Sequence, residues 1–192
     1  MIQKLPILLF IAVTLVQAGM AGQSVANDVD HESRDRPKLL DRTCESLNHA
    51  YKRMREQSLY RETVSELMAD GSLREYMTLI VHGDYVYSKT SDSQSWDRQN
   101  NDAPYWQRFT SCTVKNVRGA GLYYATYHYN GRVLGAEVWT TTDGGTLTKL
   151  VRRYPTGEWF FPFPTAVSVI DYRQKSIKVP SAYTCGGNPC SL

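Results

Sequence analysis

Side chains able to do chemistry are scattered through this sequence. The histidines His31, His49, His82 and His128 stand singly, and each suits an exposed or structural role better than a ligand's. No His-Glu-x-x-His helix is present to hold zinc, no Gly-x-Ser-x-Gly elbow to present a nucleophile, and no glycine loop to cradle phosphate. Gly119-Ala120-Gly121 reads as a plain turn, because no helical pattern follows it. Asp143-Gly144-Gly145 brings one carboxylate, too few oxygens for calcium. Glu137, mid-strand beside Tyr124, would serve as a general acid if burial raised its pKa, but a surface hydrogen bond to Tyr124 accounts for it equally well. Arg152 and Arg153 make either an anion site or, more simply, a solvated strand edge. Trp96, Trp106 and Trp159 lie in loops where they could stack on sugars, although edge packing is the plainer use. The reading expects no catalytic residue, no metal and no cofactor.

The cysteines are more informative. The chain begins with Lys4, an apolar run from Pro6 to Val16, and small residues at Val16-Gln17-Ala18. This is the pattern of a secretory signal, residues 1–18, with the mature chain starting at Gly19 and Ala21 as an alternative cleavage point. The run is too short to span roughly 30 Å of hydrocarbon as a helix, so stable membrane insertion after cleavage is not expected. Four cysteines in an exported chain argue for two disulfides, with three pairings possible. Cys185 and Cys190 bracket Gly186-Gly187-Asn188-Pro189, a turn able to bring the two sulfurs together, which leaves Cys44 with Cys112. The implied location is periplasmic or secreted.

These features must be positioned by a fold of modest size. The 192 residues hold one ordinary domain. Hydrophobic residues at 42% and charged residues at 21% exclude a disordered or multi-span membrane protein, and a net charge of +3 does not mark a nucleic-acid binder. Thirteen Tyr, four Trp and five Phe favour sheet. Residues 19–38 alternate acidic and basic side chains with little to bury, a flexible leader closed by Pro37. Residues 39–173 form the domain, and 174–192 a disulfide-closed tail.

Within the domain, Leu40, Cys44, Leu47, Tyr51 and Met54 recur at helical spacing, so one amphipathic helix runs from Asp41 to about Gln57, with Asp41 or Thr43 as its cap. Strand-like runs follow at 60–68, 73–81, 85–89 and 109–118, separated by a polar excursion from Thr90 to Ala103. Asn130-Gly131 suits the positive φ angles of a two-residue hairpin turn between 122–129 and 132–141. That register sets Tyr127 against Leu134, Ala125 against Ala136 and Tyr123 against Val138 on an apolar face. His128, Thr126, Tyr124 and Leu122 lie on a mixed face. Asp143-Gly144-Gly145 then places Val138 beside Leu150, and strands at 146–154 and 166–172 complete the set. Glu158 to Pro164 carries four aromatics and two prolines, a poor central strand expected to fold over an edge or open end.

The expected fold is therefore α+β, mainly antiparallel β: one N-terminal helix packed on a curved eight-stranded sheet and stapled by Cys44–Cys112 to its middle strand. The order of a Cys44 helix, an antiparallel meander, a strand led by Cys112, the Asn130-Gly131 hairpin, Glu137-Val138-Trp139, the Asp143 turn and a closing Asp171-Tyr172 resembles small exported bacterial proteins of the lipoprotein-carrier (LolA/LolB-like) half-barrel superfamily. The resemblance covers roughly residues 41–172. It implies an unclosed barrel, a helix in its mouth and a cavity for acyl chains.

Two small side chains between larger pairs leave a dent in the sheet at Ala125 and Ala136. The expected function is non-catalytic binding of an apolar or lipid-like ligand between helix and sheet. Its lining would come from Tyr123, Ala125, Tyr127, Leu134, Ala136 and Val138, with Tyr51 and Met54 from the helix. The alternatives are an envelope protein-interaction or structural module using Trp159 to Phe163 as an exposed patch, or a domain with no ligand.

Overall fold

Period-two alternation governs most of the chain in its computed structural model, which describes residues 41–101, 108–117, 120–129, 131–155, 160–188 and 190. The signal and leader segments, Asn130, Trp106 and Trp159 lie outside the described residues. A 3-10 turn, Arg42–Cys44, leads into α1 (Glu45–Arg55). The strands are β1 (Leu59–Leu67), β2 (Leu73–His82), β3 (Tyr85–Thr90), β4 (Trp96–Asn100), β5 (Phe109–Val117), β6 (Ala120–Tyr129), β7 (Arg132–Thr140), β8 (Leu147–Arg153), β9 (Thr165–Asp171) and β10 (Tyr183–Cys185). They form one open sheet in the order β10-β4-β3-β2-β1-β9-β8-β7-β6-β5. Every pairing is antiparallel except β10 with β4.

The α+β class with an antiparallel sheet is as expected, but the strands number ten rather than eight. The two additions come from the polar excursion and the tail. Both are at or next to one edge, where few of their residues meet the core, so hydropathy does not flag them. Their burial is on the other face of the sheet. In β2 and β3, Val81 and Val86 point to the main core, while Ile80 and Tyr87 point outward to a second cluster with Ile177, Trp96, Val179 and Tyr183. The tail thus covers the outer face of β2, β3 and β4. The Arg98 guanidinium lies 4.5 Å from the Tyr85 ring centre and 4.7 Å from that of Tyr183, tying β10 down.

The β6–β7 hairpin has the expected register, Ala125 opposite Ala136 and Tyr127 opposite Leu134, and Val138 lies beside Leu150. Gly131 has φ 72°, as the tight turn requires. Both alanines are buried and inward.

Both disulfides join the expected partners, Cys44–Cys112 and Cys185–Cys190, and there is no free cysteine among the described residues. Two disulfides mark an oxidising, non-cytoplasmic compartment. Among the described residues no helix is long and apolar enough to cross a membrane. The staple from the helix does not reach a middle strand: β5 is the edge of the sheet. Its register slips between Thr110 and Thr113, with Ser111 at φ 55°, so Ser111 and Cys112 bulge toward the helix. Asp41 Oδ2 accepts from Ser111 N at 2.6 Å and Thr43 Oγ1 from Cys112 N at 3.0 Å. The edge is therefore covered by the start of the helical segment, which satisfies backbone donors that would otherwise invite another strand.

Candidate functional site

Clamping the helix at one end determines where space is left. Asp41, Thr43 and Cys44 fasten its start to β5, and Asn48 Nδ2 donates to Phe109 O at 3.0 Å while its Oδ1 accepts from Arg108 N and Phe109 N at 3.0 and 3.1 Å. Cys44, Leu47 and Ala50 are fully buried in one cluster with Phe109, Ala125, Leu134, Ala136 and Val138. The small pair at Ala125 and Ala136 thus belongs to the packed helix-sheet contact.

A cavity of about 480 Å³ lies farther along, under the last turn of α1. Tyr51, Met54 and Arg55 come from the helix, Glu62 and Val64 from β1, Tyr76 and Leu79 from β2, and Val86 from β3. Leu150 and Arg152 of β8, Ile170 of β9, Tyr127 and Tyr129 of β6, Arg108 and Phe161 also line it. Of the expected lining residues, Tyr51, Met54 and Tyr127 are at this cavity. Tyr123, Ala125, Leu134, Ala136 and Val138 are not. The reason is the position of β5: with the helix start anchored at the sheet edge next to β6, the hairpin face is used for packing, and the unfilled space falls over β1, β2, β3 and β8.

The described phenylalanines of the aromatic segment between β8 and β9 differ in burial. Phe161 and Phe163 are buried, stacked with ring centres 5.5 Å apart, and both meet Tyr76 edge-on. Phe160, 48% exposed, is the one described phenylalanine of this segment open to solvent. Tyr154 N donates to Pro164 O at 2.9 Å, joining the two ends of the segment.

The charged members of the lining are Arg55, Arg108, Arg152 and Glu62. Arg152, expected at a solvated edge, has a side chain only 11% exposed. Its Nη2 donates to Ser168 Oγ at 2.6 Å and lies 3.7 Å from Glu62 Oε1. Arg153, the next residue, points to the opposite face and pairs with Glu137 at 2.5 Å, so the neighbour of Glu137 that matters is this arginine rather than Tyr124. Arg55 donates from Nη1 to Tyr60 OH at 3.1 Å and from Nη2 to Asn101 Oδ1 at 2.5 Å. Arg108 is 8% exposed and donates from Nη1 to His128 O at 3.4 Å. Arg55, Glu62, Asn48 and Arg108 carried no signal in the sequence. A charged residue among polar neighbours looks solvated until topology covers it. Among the described residues no group of three or more His, Cys, Asp or Glu side chains gathers within metal-binding range.

Burial raises the pKa of Tyr127 well above that of a free phenol, and raises Tyr60 and Tyr172 for the same cause. These groups are neutral in the fold and ionise more readily when unfolded. Their contribution to stability is complete below about pH 10, the unfolded value, and is lost as pH rises toward the higher folded values. An alkaline titration followed at 295 nm should therefore show these phenols ionising together with loss of near-UV circular dichroism. If they titrate near pH 10 with the fold intact, they are not shielded as described.

The cavity is thus a mainly apolar chamber with cationic groups set into its wall, suited to hold a molecule with a hydrophobic body. No known protein family matches this sequence, and no curated protein is significantly similar to it.

Proposed function

We propose that this protein is an exported, non-catalytic carrier or sensor that holds an apolar or lipid-like ligand between α1 and the inner face of the sheet, in the periplasm or outside the cell. The observation that carries this reading is the cavity of about 480 Å³ beneath the last helical turn. It falls within the range of roughly 300–1,000 Å³ typical of small-molecule sites. Apolar burial yields about 25 cal/mol per Å², so an acyl chain in contact with Met54, Val64, Leu79, Val86 and Leu150 would gain affinity without a reaction partner. Among the described residues, one α-helix lies on an open, mainly antiparallel sheet, and this supports the same proposal, since it is the form implied by the resemblance of the sequence to the lipoprotein-carrier half-barrel.

The test is to fill the chamber from a strand that contributes to it but is only partly buried. Val86→Trp adds an indole at the cavity wall. The variant should keep the wild-type far-UV spectrum and weaken binding of a fluorescent long-chain probe at least tenfold by direct titration. Unchanged probe affinity would sink the reading. Ala136→Trp, which the sequence would suggest, is a poorer probe because Ala136 is in the packed core, where overpacking costs about 1–3 kcal/mol.

A further inference from the structure

Three guanidinium groups, Arg55, Arg108 and Arg152, line this apolar cavity against one carboxylate, Glu62, an excess of positive charge among the described residues. An arginine stays ionised when buried, and removing it from water costs several kcal/mol unless charge and hydrogen bonds are returned to it. For Arg55 the return is visible in Tyr60 and Asn101. For the other two it is incomplete: the Nε atoms of Arg108 and Arg152 are buried and have no hydrogen-bond partner among the described residues. Both side chains also lie over aromatic rings, Arg108 5.6 Å from the centre of Tyr129 and Arg152 5.2 Å from that of Phe161.

The unpartnered Nε atoms matter more than the count. Arg108 uses Nη1, toward His128 O. The opposite edge, Nε with Nη2, is the two-toothed fork that donates in parallel to a carboxylate or phosphate. Arg152 has given Nη2 to Ser168 and shares Glu62 only at 3.7 Å, leaving Nε to donate. A neutral lipid would leave both Nε groups as they are. An anionic head would satisfy them.

Resting on the ligand-binding reading above, we infer that the ligand is a single-chain anionic amphiphile, its carboxylate or phosphate head bound by the Nε–Nη2 edge of Arg108 with support from Arg152, and its chain in the apolar part of the cavity. A chamber of this volume suits one chain. The chemistry required is an acidic oxygen pair on a hydrocarbon tail.

The experiment compares dodecanoate, dodecyl phosphate and 1-dodecanol, below their aggregation thresholds, by titration calorimetry on the purified, oxidised protein. Acetate and inorganic phosphate serve as heads without tails. At least one of the two anionic amphiphiles should bind tenfold or more tightly than the alcohol, and the tighter of them identifies the head. Acetate and inorganic phosphate should bind at least a hundredfold more weakly than their tailed counterparts. Arg108→Met should bring the anion down to the affinity of the alcohol while leaving the alcohol unchanged. Its urea midpoint should be no lower than that of wild type, because the guanidinium it removes is an incompletely paired buried charge. Equal binding of anion and alcohol by wild type would overturn this inference and leave the cavity reading standing. Absence of binding by all three tailed probes would overturn both. Inorganic phosphate binding as tightly as dodecyl phosphate would reveal a plain anion site and overturn the amphiphile. If Arg108→Met fails to fold, the guanidinium is a structural member of the core and the assignment falls.

Discussion

Replacing Cys44 and Cys112 together by alanine lowers the unfolding free energy by about 4 kcal/mol, whereas replacing Cys185 and Cys190 lowers it by about 2 kcal/mol. The difference follows from the loops closed, 68 residues of separation against 5. A cross-link limits the unfolded chain by an amount that rises with the logarithm of loop length, so the long loop is worth roughly twice the short one. Location adds to the difference. Cys44 is fully buried at the start of the helical segment and Cys112 lies in the bulge of β5, so without the bond the helix start is held to that edge chiefly by the contacts of Asp41, Thr43 and Asn48. The tail bond closes a turn beside a three-residue edge strand. Urea denaturation of the two double variants at 25 °C measures both. The long-loop variant should also show a larger m value, because its unfolded state is less compact. Equal midpoints for the two variants would refute the loop-length account.

Much of this architecture was legible because its signals are local. A single two-residue turn set the register of β6 and β7, and alternation along those strands then placed Ala125 and Ala136 inward. Helical spacing found Leu47, Tyr51 and Met54 for the same reason, since period alone decides which face is apolar. What the sequence could not supply was strand order. Cys112 read as belonging to a middle strand, yet β5 is an edge, and that one difference anchors the helix start at the edge and leaves the cavity over the more central strands. The lining expected from the hairpin face therefore became core, and the actual lining includes residues of β1, β2, β3 and β8, brought together only by long-range pairing. Arg108 and Arg152 illustrate the second limit. Each is an arginine among polar or strand residues, and nothing in its neighbours along the chain shows that sheet and aromatic loop cover it.

Asn48→Leu should destabilise the fold by about 3–5 kcal/mol, although it replaces one buried side chain by another of similar size. The wild-type amide completes three hydrogen bonds at the outer edge of β5: it accepts from the backbone of Arg108 and Phe109 and donates to Phe109 O. It acts there as one residue of an additional strand, supplied from a helix. Phe109 is wholly buried and Arg108 nearly so, which leaves those backbone groups little access to water once the amide is gone. Each unpaired buried group costs about 1–3 kcal/mol, and partial relief by an entering water keeps the sum toward the lower end. Asn48→Asp separates the terms, because a carboxylate still accepts from both N–H groups but cannot donate to Phe109 O and carries a buried charge at neutral pH. Hydrogen exchange should then distinguish the two: the Phe109 amide is protected in wild type, retains part of that protection in the aspartate variant, and loses it in the leucine variant. A urea midpoint for Asn48→Leu corresponding to less than about 1 kcal/mol of destabilisation would mean that the edge finds other partners. The same bond places Arg108 at the cavity wall, so the leucine variant at low temperature, still folded, should also lose the preference for an anionic amphiphile over its alcohol, linking the seating of the helix on β5 to the chemistry of the chamber.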